Sequence, residues 1–183
     1  MMMTEIDGSA ALSPAEVVRR IKASIRQANI GEGREDLVVT GIGLTLSTVL
    51  VKGVGSEFKW KIPFIGMETS GGAKITKSDT SSLSIDLVPP VWEGEGGALD
   101  VDADVLEDHI VYGVHDLRNA IAEAALDPPE FILKEAGVVI EFVATGEGKL
   151  SLIVVGESKE EVTHTMKLTL GRKSALMEAQ KHA

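Results

Sequence analysis

Cysteine is absent from the 183-residue chain, which removes thiol nucleophiles, cysteine–zinc centres and a disulfide scaffold together. Aromatic side chains are scarce: four Phe, two Trp and one Tyr are too few to build stacking platforms for bases or sugars. No run approaches the ~20 uninterrupted apolar residues of a membrane-spanning helix. The opening MMMTEIDGSAALSP has neither a basic leader nor an apolar core, so it does not read as a secretory signal, and a cytoplasmic location is expected. Basic charge is in the minority. Eighteen Lys and Arg against 28 Asp and Glu leave a net charge of −10, a balance that repels nucleic-acid phosphates and anionic membranes, so neither is expected as a partner. Half of that excess lies in residues 89–104, PPVWEGEGGALDVDAD, where five acidic residues meet no Lys or Arg.

What is present is globular in composition, 44% hydrophobic and 25% charged. At this length a fold buries roughly 70% of the surface its unfolded chain exposes, without metal or disulfide. Ser13-Pro14-Ala15-Glu16 combines an N-cap Ser, a Pro at the first helical position and a Glu three residues after the cap. Val18, Ile21, Ile25 and Ala28 follow at helical spacing, and Asn29-Ile30-Gly31 supplies a stop. The period then changes. Leu37–Val39 is an apolar run, Gly41-Ile42-Gly43 reads as a break, and Leu44, Leu46 and Leu50 take alternate positions. Phe58, Trp60, Ile62 and Phe64 alternate with Lys59, Lys61, Pro63 and Ile65. A polar loop over 66–79 leads to Leu83, Ile85 and Leu87 alternating with Ser84 and Asp86. Period two with polar partners predicts half-buried antiparallel strands with one wet face. Pro63 predicts an edge or a bulge.

The second half repeats this order. Val114, Leu117, Ile121 and Ala124 match the first helix at a displacement of 96. Phe131-Ile132-Leu133 with Gly137, Val138 and Ile140 matches Leu37–Val39 with Gly43, Leu44 and Leu46 at 94. Leu150, Leu152, Val154 and Gly156 match Trp60, Ile62, Phe64 and Gly66 at 90, and Met166, Leu168 and Leu170 match Leu83, Ile85 and Leu87 at 83. Four matches in order, with strand phase kept, indicate an internal repeat. The expected fold is α+β: two tandem repeats, each an amphipathic helix packed on an antiparallel meander of about four strands. The boundaries are 12–90 for the first repeat, 91–104 for an acidic Gly-rich linker, 105–171 for the second repeat, and 172–183 for a tail with a short helix over 174–180.

The second copy closes on Thr163-His164-Thr165-Met166-Lys167-Leu168-Thr169-Leu170 after a helix containing Leu117-Arg118. This pattern resembles the trypsin-co-occurring domain family of bacteria (Trypco2-like). The first copy resembles it more loosely, with Phe58-Lys59-Trp60 as an aromatic third strand and Thr80-Ser81-Ser82-Leu83 in the place of the T-H-T-M segment. The resemblance implies an adaptor or recognition module found beside trypsin-like peptidases or other effectors of bacterial conflict systems. It implies no catalytic residues. A tandem pair departs from the family's usual single copy fused to an effector.

The residues by themselves show no catalytic or cofactor site. Gly53-Val54-Gly55-Ser56 is not the G-x-S-x-G elbow of a serine hydrolase. His109 and His115, six apart on one helix, cannot share a metal as an i, i+4 pair does. His164 opens the last strand and His182 lies in the tail; all four histidines read as structural or solvent-exposed. Asp100-Val101-Asp102-Ala103-Asp104 lacks the Gly and Glu of a calcium loop, having Val105 and Val111 at those places; Asp104 instead suits a helix cap. Gly31-Glu32-Gly33, Gly41-Ile42-Gly43 and Gly71-Gly72-Ala73-Lys74 lack the context of a phosphate cradle. No catalytic residue, metal or cofactor is expected.

Two features point to a protein partner. The Phe58, Trp60, Ile62, Phe64 stripe is expected as the core face of a strand, with an exposed peptide-adding edge or a small apolar cavity as the sharper alternative. Lys59 and Lys61 occupy its other side. The helix over 14–29, with Arg19, Arg20, Lys22 and Arg26 against Glu16, sums to +3. The helix over 105–126 sums to −3. That complementarity would draw the two units together within one chain or pair them between chains as a homo-oligomer. The functional expectation is a non-enzymatic protein-binding adaptor whose candidate contacts are Phe58, Trp60, Lys59, Lys61, Arg19, Lys22 and Arg26. A cystatin-like protease inhibitor or substrate mimic, although the Q-x-V-x-G hairpin is absent, and a carrier of a small apolar ligand are the alternatives. Reversing Arg19, Lys22 and Arg26 to Glu should loosen the assembly seen by sedimentation; unchanged sedimentation at low salt would remove this role for the charges.

Overall fold

A computed structural model describes residues 11–27, 37–52, 55, 57–88, 105–130, 132–153 and 162–172. The first helix, α1 (Pro14–Gln27), starts where the capping residues place it. The Ser13 backbone N–H donates to Glu16 Oε2 at 2.6 Å, and the Glu16 N–H donates to Ser13 Oγ at 3.2 Å. This reciprocal box satisfies two backbone donors that a helix start otherwise leaves open. The Ser13 hydrogen bonds, backbone first, hold the Glu16 carboxyl below its ordinary range. The helical stop at Asn29-Ile30-Gly31, the linker 91–104 and the tail helix 174–180 lie outside the described residues.

The chain continues through β1 (Leu37–Lys52), β2 (Phe58–Lys61), a single 3-10 turn (Lys77–Asp79), β3 (Ser81–Leu87), α2 (Val105–Ala124), β4 (Glu135–Ala144), β5 (Leu150–Leu152) and β6 (His164–Arg172). All six strands join one antiparallel sheet. β1 pairs with β3 on one edge over Ile42–Thr48 and with β6 on the other over Leu37–Thr45. β6 is flanked on its far side by β4, and β4 carries β5 beyond. The C-terminal strand therefore lies between the long strands of the two halves.

The fold is α+β, as expected, but among the described residues each half contributes three strands in place of a meander of about four. Gly41-Ile42-Gly43 does not break the chain: β1 runs unbroken for 16 residues. The glycines accompany a bulge between Val39 and Gly41, where β6 pairs across a register shift. Thr40, the extra residue, lies over Gly171; a Cβ there would meet Thr40 Cγ2 at 2.9 Å, so Gly permits this close approach. Within each half the first strand is central, and a meander would place it at an edge. The ladders of the halves nonetheless correspond. Leu46 faces Leu83, and the positions displaced by 94 and 83 are Ile140 and Met166, which face each other. Leu50 faces Trp60, and the positions displaced by 94 and 90 are Ala144 and Leu150, also partners.

Both helices cover the same side of the sheet. Val17 and Ile21 of α1 and Ile110 and Val114 of α2 are buried against Leu44, Leu46, Phe142, Met166, Leu168 and Leu170. β6 shows the cause: Met166, Leu168 and Leu170 are fully buried while Lys167 between them is exposed, the alternation of a strand wet on one side. The helix match shifts by one turn, because burial aligns Val17 and Ile21 with Ile110 and Val114, a displacement of 93. A smaller cluster, Ala11, Val49, Val51, Met67, Ile75 and Val162, fills the opposite side at the end of β1. The 66–79 segment is thus built as a cover. Ile75 N–H donates to Met67 O at 2.9 Å, and Thr76 and Asp79 form a second capping box.

Ser13→Ala removes one half of the α1 box and should cost about 1 kcal/mol, read as a fall in Tm of roughly 2–4 °C for a chain of this size.

Candidate functional site

The stripe expected in the core is split. Ile62 is fully buried and Phe64 half-buried, whereas Phe58 and Trp60 are 45% and 44% exposed. Leu12, just before α1, pairs beside Ile62 as an antiparallel bridge, the Ile62 N–H donating to Leu12 O at 2.8 Å. α1 is 14 residues long and α2 is 20; α2 packs against β5, where Leu150 is fully buried at the position matching Trp60. The β1–β2 ladder sets Leu50 opposite Trp60 and Lys52 opposite Phe58, so two aromatics, a half-buried leucine and a lysine share one side of this hairpin.

The other side carries Lys59 and Lys61. Lys59 is exposed and faces Val51 across the ladder. Lys61 is half-buried, opposite Val49, and its Nζ donates to the Ala11 carbonyl at 3.2 Å. Lys61 therefore ties the segment before α1 to β2 and is more than a wet-surface charge. The hairpin tip sets the apolar pair beside Lys52 on one side and exposes Lys59 on the other, which suits an amphipathic, acidic surface.

Arg19, Lys22 and Arg26 fall on one exposed stripe of α1. α1 and α2 pack side by side over the sheet, and Asp116 and Glu123 of α2 are exposed. The basic stripe thus stands apart from the Phe58–Trp60 tip in sequence and lies on the helix layer.

The strongest polar feature inside the fold is His164, for which the sequence predicts a structural or solvent-exposed place. His164 is fully buried at the start of β6 and stacks at a tilt on Phe142, ring centroids 5.3 Å apart. Its Nδ1 accepts the Ser47 backbone N–H at 3.1 Å, and the Ser47 hydroxyl donates to the Thr163 carbonyl at 2.9 Å. His164 Nε2 is buried with no hydrogen-bond partner. Because Ser47 offers its backbone to the imidazole and its hydroxyl elsewhere, this is a strand-end clasp and not a nucleophile–base pair. Burial alone pushes the imidazole down to about 4. The signal in sequence was the phase of T-H-T, which places His164 on the same side as Met166 and Leu168.

His115 is exposed, with Nδ1 3.8 Å from Asp116 Oδ1 and 3.2 Å from Asn119 Nδ2. His109 is exposed on α2. His182, Gly31-Glu32-Gly33 and Asp100–Asp104 lie outside the described residues. Among the described residues no group of three metal-ligating side chains converges, and no helix is long and apolar enough to cross a membrane. No protein-family model, curated protein or solved structure matches the chain.

The buried imidazole makes stability depend on pH. The unfolded histidine titrates near 6.5 and the folded one near 4, so the unfolded state takes up its proton first as pH falls. Stability is full above pH 6.5, declines between 6.5 and 4, and levels off below, a loss of roughly 3 kcal/mol from this group. His164→Asn keeps an acceptor for the Ser47 N–H and cannot titrate. Denaturant unfolding of that variant should lose this part of the pH slope, while its stability at pH 8 falls through lost packing.

Proposed function

We propose that the chain consists of two tandem copies of one helix-plus-three-strand unit and serves as a non-enzymatic protein-binding module. The observation that carries the binding role is the asymmetry at matching positions: Leu150 is fully buried, and Trp60 with its neighbour Phe58 stands nearly half-exposed on the side of the hairpin that carries Lys52, with Lys59 exposed on the reverse side. A monomer gains nothing from two uncovered aromatics, and such anchors within a polar rim are what interfaces use. The duplication is supported by the ladder pairs that coincide after displacements of 94, 90 and 83.

The partner fits an acidic amphipathic segment, with apolar side chains for Phe58 and Trp60 and carboxylates for the lysines. The resemblance of Thr163–Leu170 to the trypsin-co-occurring family makes a peptidase or another effector of a bacterial conflict system the first partner to test.

Phe58→Ala with Trp60→Ala should weaken capture of such a partner by about 30-fold or more. Because both rings are half-exposed, stability should shift by only about 1 kcal/mol. Lys59→Glu should slow association and reduce its dependence on salt. Full capture by the double alanine variant, measured by titration calorimetry on the purified pair, would end this reading.

A further inference from the structure

The two ends of the sheet repeat its internal junction. Inside the chain, β6 docks on the edge of β1 that faces away from β3, with Ile42 opposite Leu168, Gly43 opposite Lys167, Leu44 opposite Met166 and Thr45 opposite Thr165. The edge of β4 that matches this edge of β1 is the one on the β5 side. Among the described residues, β5 occupies it only at Phe142–Ala144, with one further hydrogen bond from Ile153 N–H to Glu141 O at 3.5 Å. The edge of β3 that matches the docking edge of β6 is the one turned away from β1, and among the described residues it pairs with no strand. One chain thus carries the acceptor half of the junction at one end and the donor half at the other.

Burial agrees with an unfinished junction. Met166, Leu168 and Leu44, at the internal contact, are 0%, 0% and 1% exposed. Their counterparts Leu83, Ile85 and Val138 are only half-buried. Val139, on the wet side of β4, is 64% exposed. The helices repeat the relation, since α1 and α2 pack together within the chain, and α2 of one molecule, bearing exposed Asp116 and Glu123, would meet α1 of the next, bearing exposed Arg19 and Lys22.

We infer that this face binds a second copy of the chain, head to tail, with the β3 edge of one molecule added to the β4 edge of the next. The inference rests on the two-unit reading above, and the register follows from it. Val138 faces Leu83, Gly137 faces Ser84, Ala136 faces Ile85 and Val139 faces Ser82. The same register sets Glu135 against Asp86, a like-charge pair that restrains the assembly, as charged edge strands do.

The absence of native cysteine makes disulfide trapping clean. Ser82 and Val139 of one molecule are separated by three strand spacings, about 14 Å, too far for a bridge within the chain. Ser82→Cys with Val139→Cys, mildly oxidised, should therefore give a covalent ladder of dimers and larger species. Thr45→Cys with Thr165→Cys, the internal version of the same contact, should close within one chain. Ser82→Cys with Glu135→Cys, four residues out of register, should stay monomeric. Glu135→Lys should raise the association constant by about two- to fivefold at low salt, measured by sedimentation. Monomer from the Ser82–Val139 variant, with the Thr45–Thr165 bridge closing normally, overturns the head-to-tail contact and leaves the duplication standing. Equal ladders from the out-of-register variant overturn the register and the duplication with it.

Discussion

The C-terminal strand holds the two halves of this protein in one sheet. β6 offers one edge to β4 of its own half and the other to β1, more than a hundred residues earlier in the chain. The side chains that β6 turns inward, Met166, Leu168 and Leu170, form the floor beneath both helices. Such distant pairing costs chain entropy before any contact offsets it, so the core cannot be completed until the last strand has been added. His164 marks where the seam ends, its imidazole receiving a β1 backbone N–H that no β6 carbonyl takes.

Placing β6 in the middle has consequences at both ends. Among the described residues β3 pairs only with β1, and β5 covers only the Phe142–Ala144 end of the far edge of β4. Asp86 and Glu135 lie on those edges, and charge on an edge strand is the usual protection against unregulated pairing. The inner residues there, Leu83, Ile85 and Val138, pack against the core but remain half-buried.

The halves diverge where the helical cover begins. α2 reaches β5 and seals Leu150; α1 begins at Pro14, anchored by Ser13 and Glu16, with Leu12 just before it paired to Ile62. Trp60 and Phe58, beyond Ile62 on the same strand side, stand nearly half-exposed. Lys61, bonded to Ala11, fixes the approach to that cap and is part of the same arrangement.

Several features were legible in the amino-acid sequence because they depend on local physics. The start of α1 follows from the spacing of Ser13, Pro14 and Glu16. The strand phases follow from period two, and the displacements of 94, 90 and 83 correspond to real ladder partners. What remained hidden depends on contacts between distant parts of the chain. Gly41 and Gly43 read as a break, yet both pair with β6, next to a bulge at Thr40, within one long strand. Alternation identified Phe58, Trp60 and Ile62 as sharing one side of a strand but could not say how far a helix would extend over it. Burial of His164 needed β1, β4 and β6 to meet. The sequence alone determined which side chains share a side, because periodicity is set by backbone geometry; only the tertiary structure decided which sides are covered, because cover is supplied by residues remote in the chain.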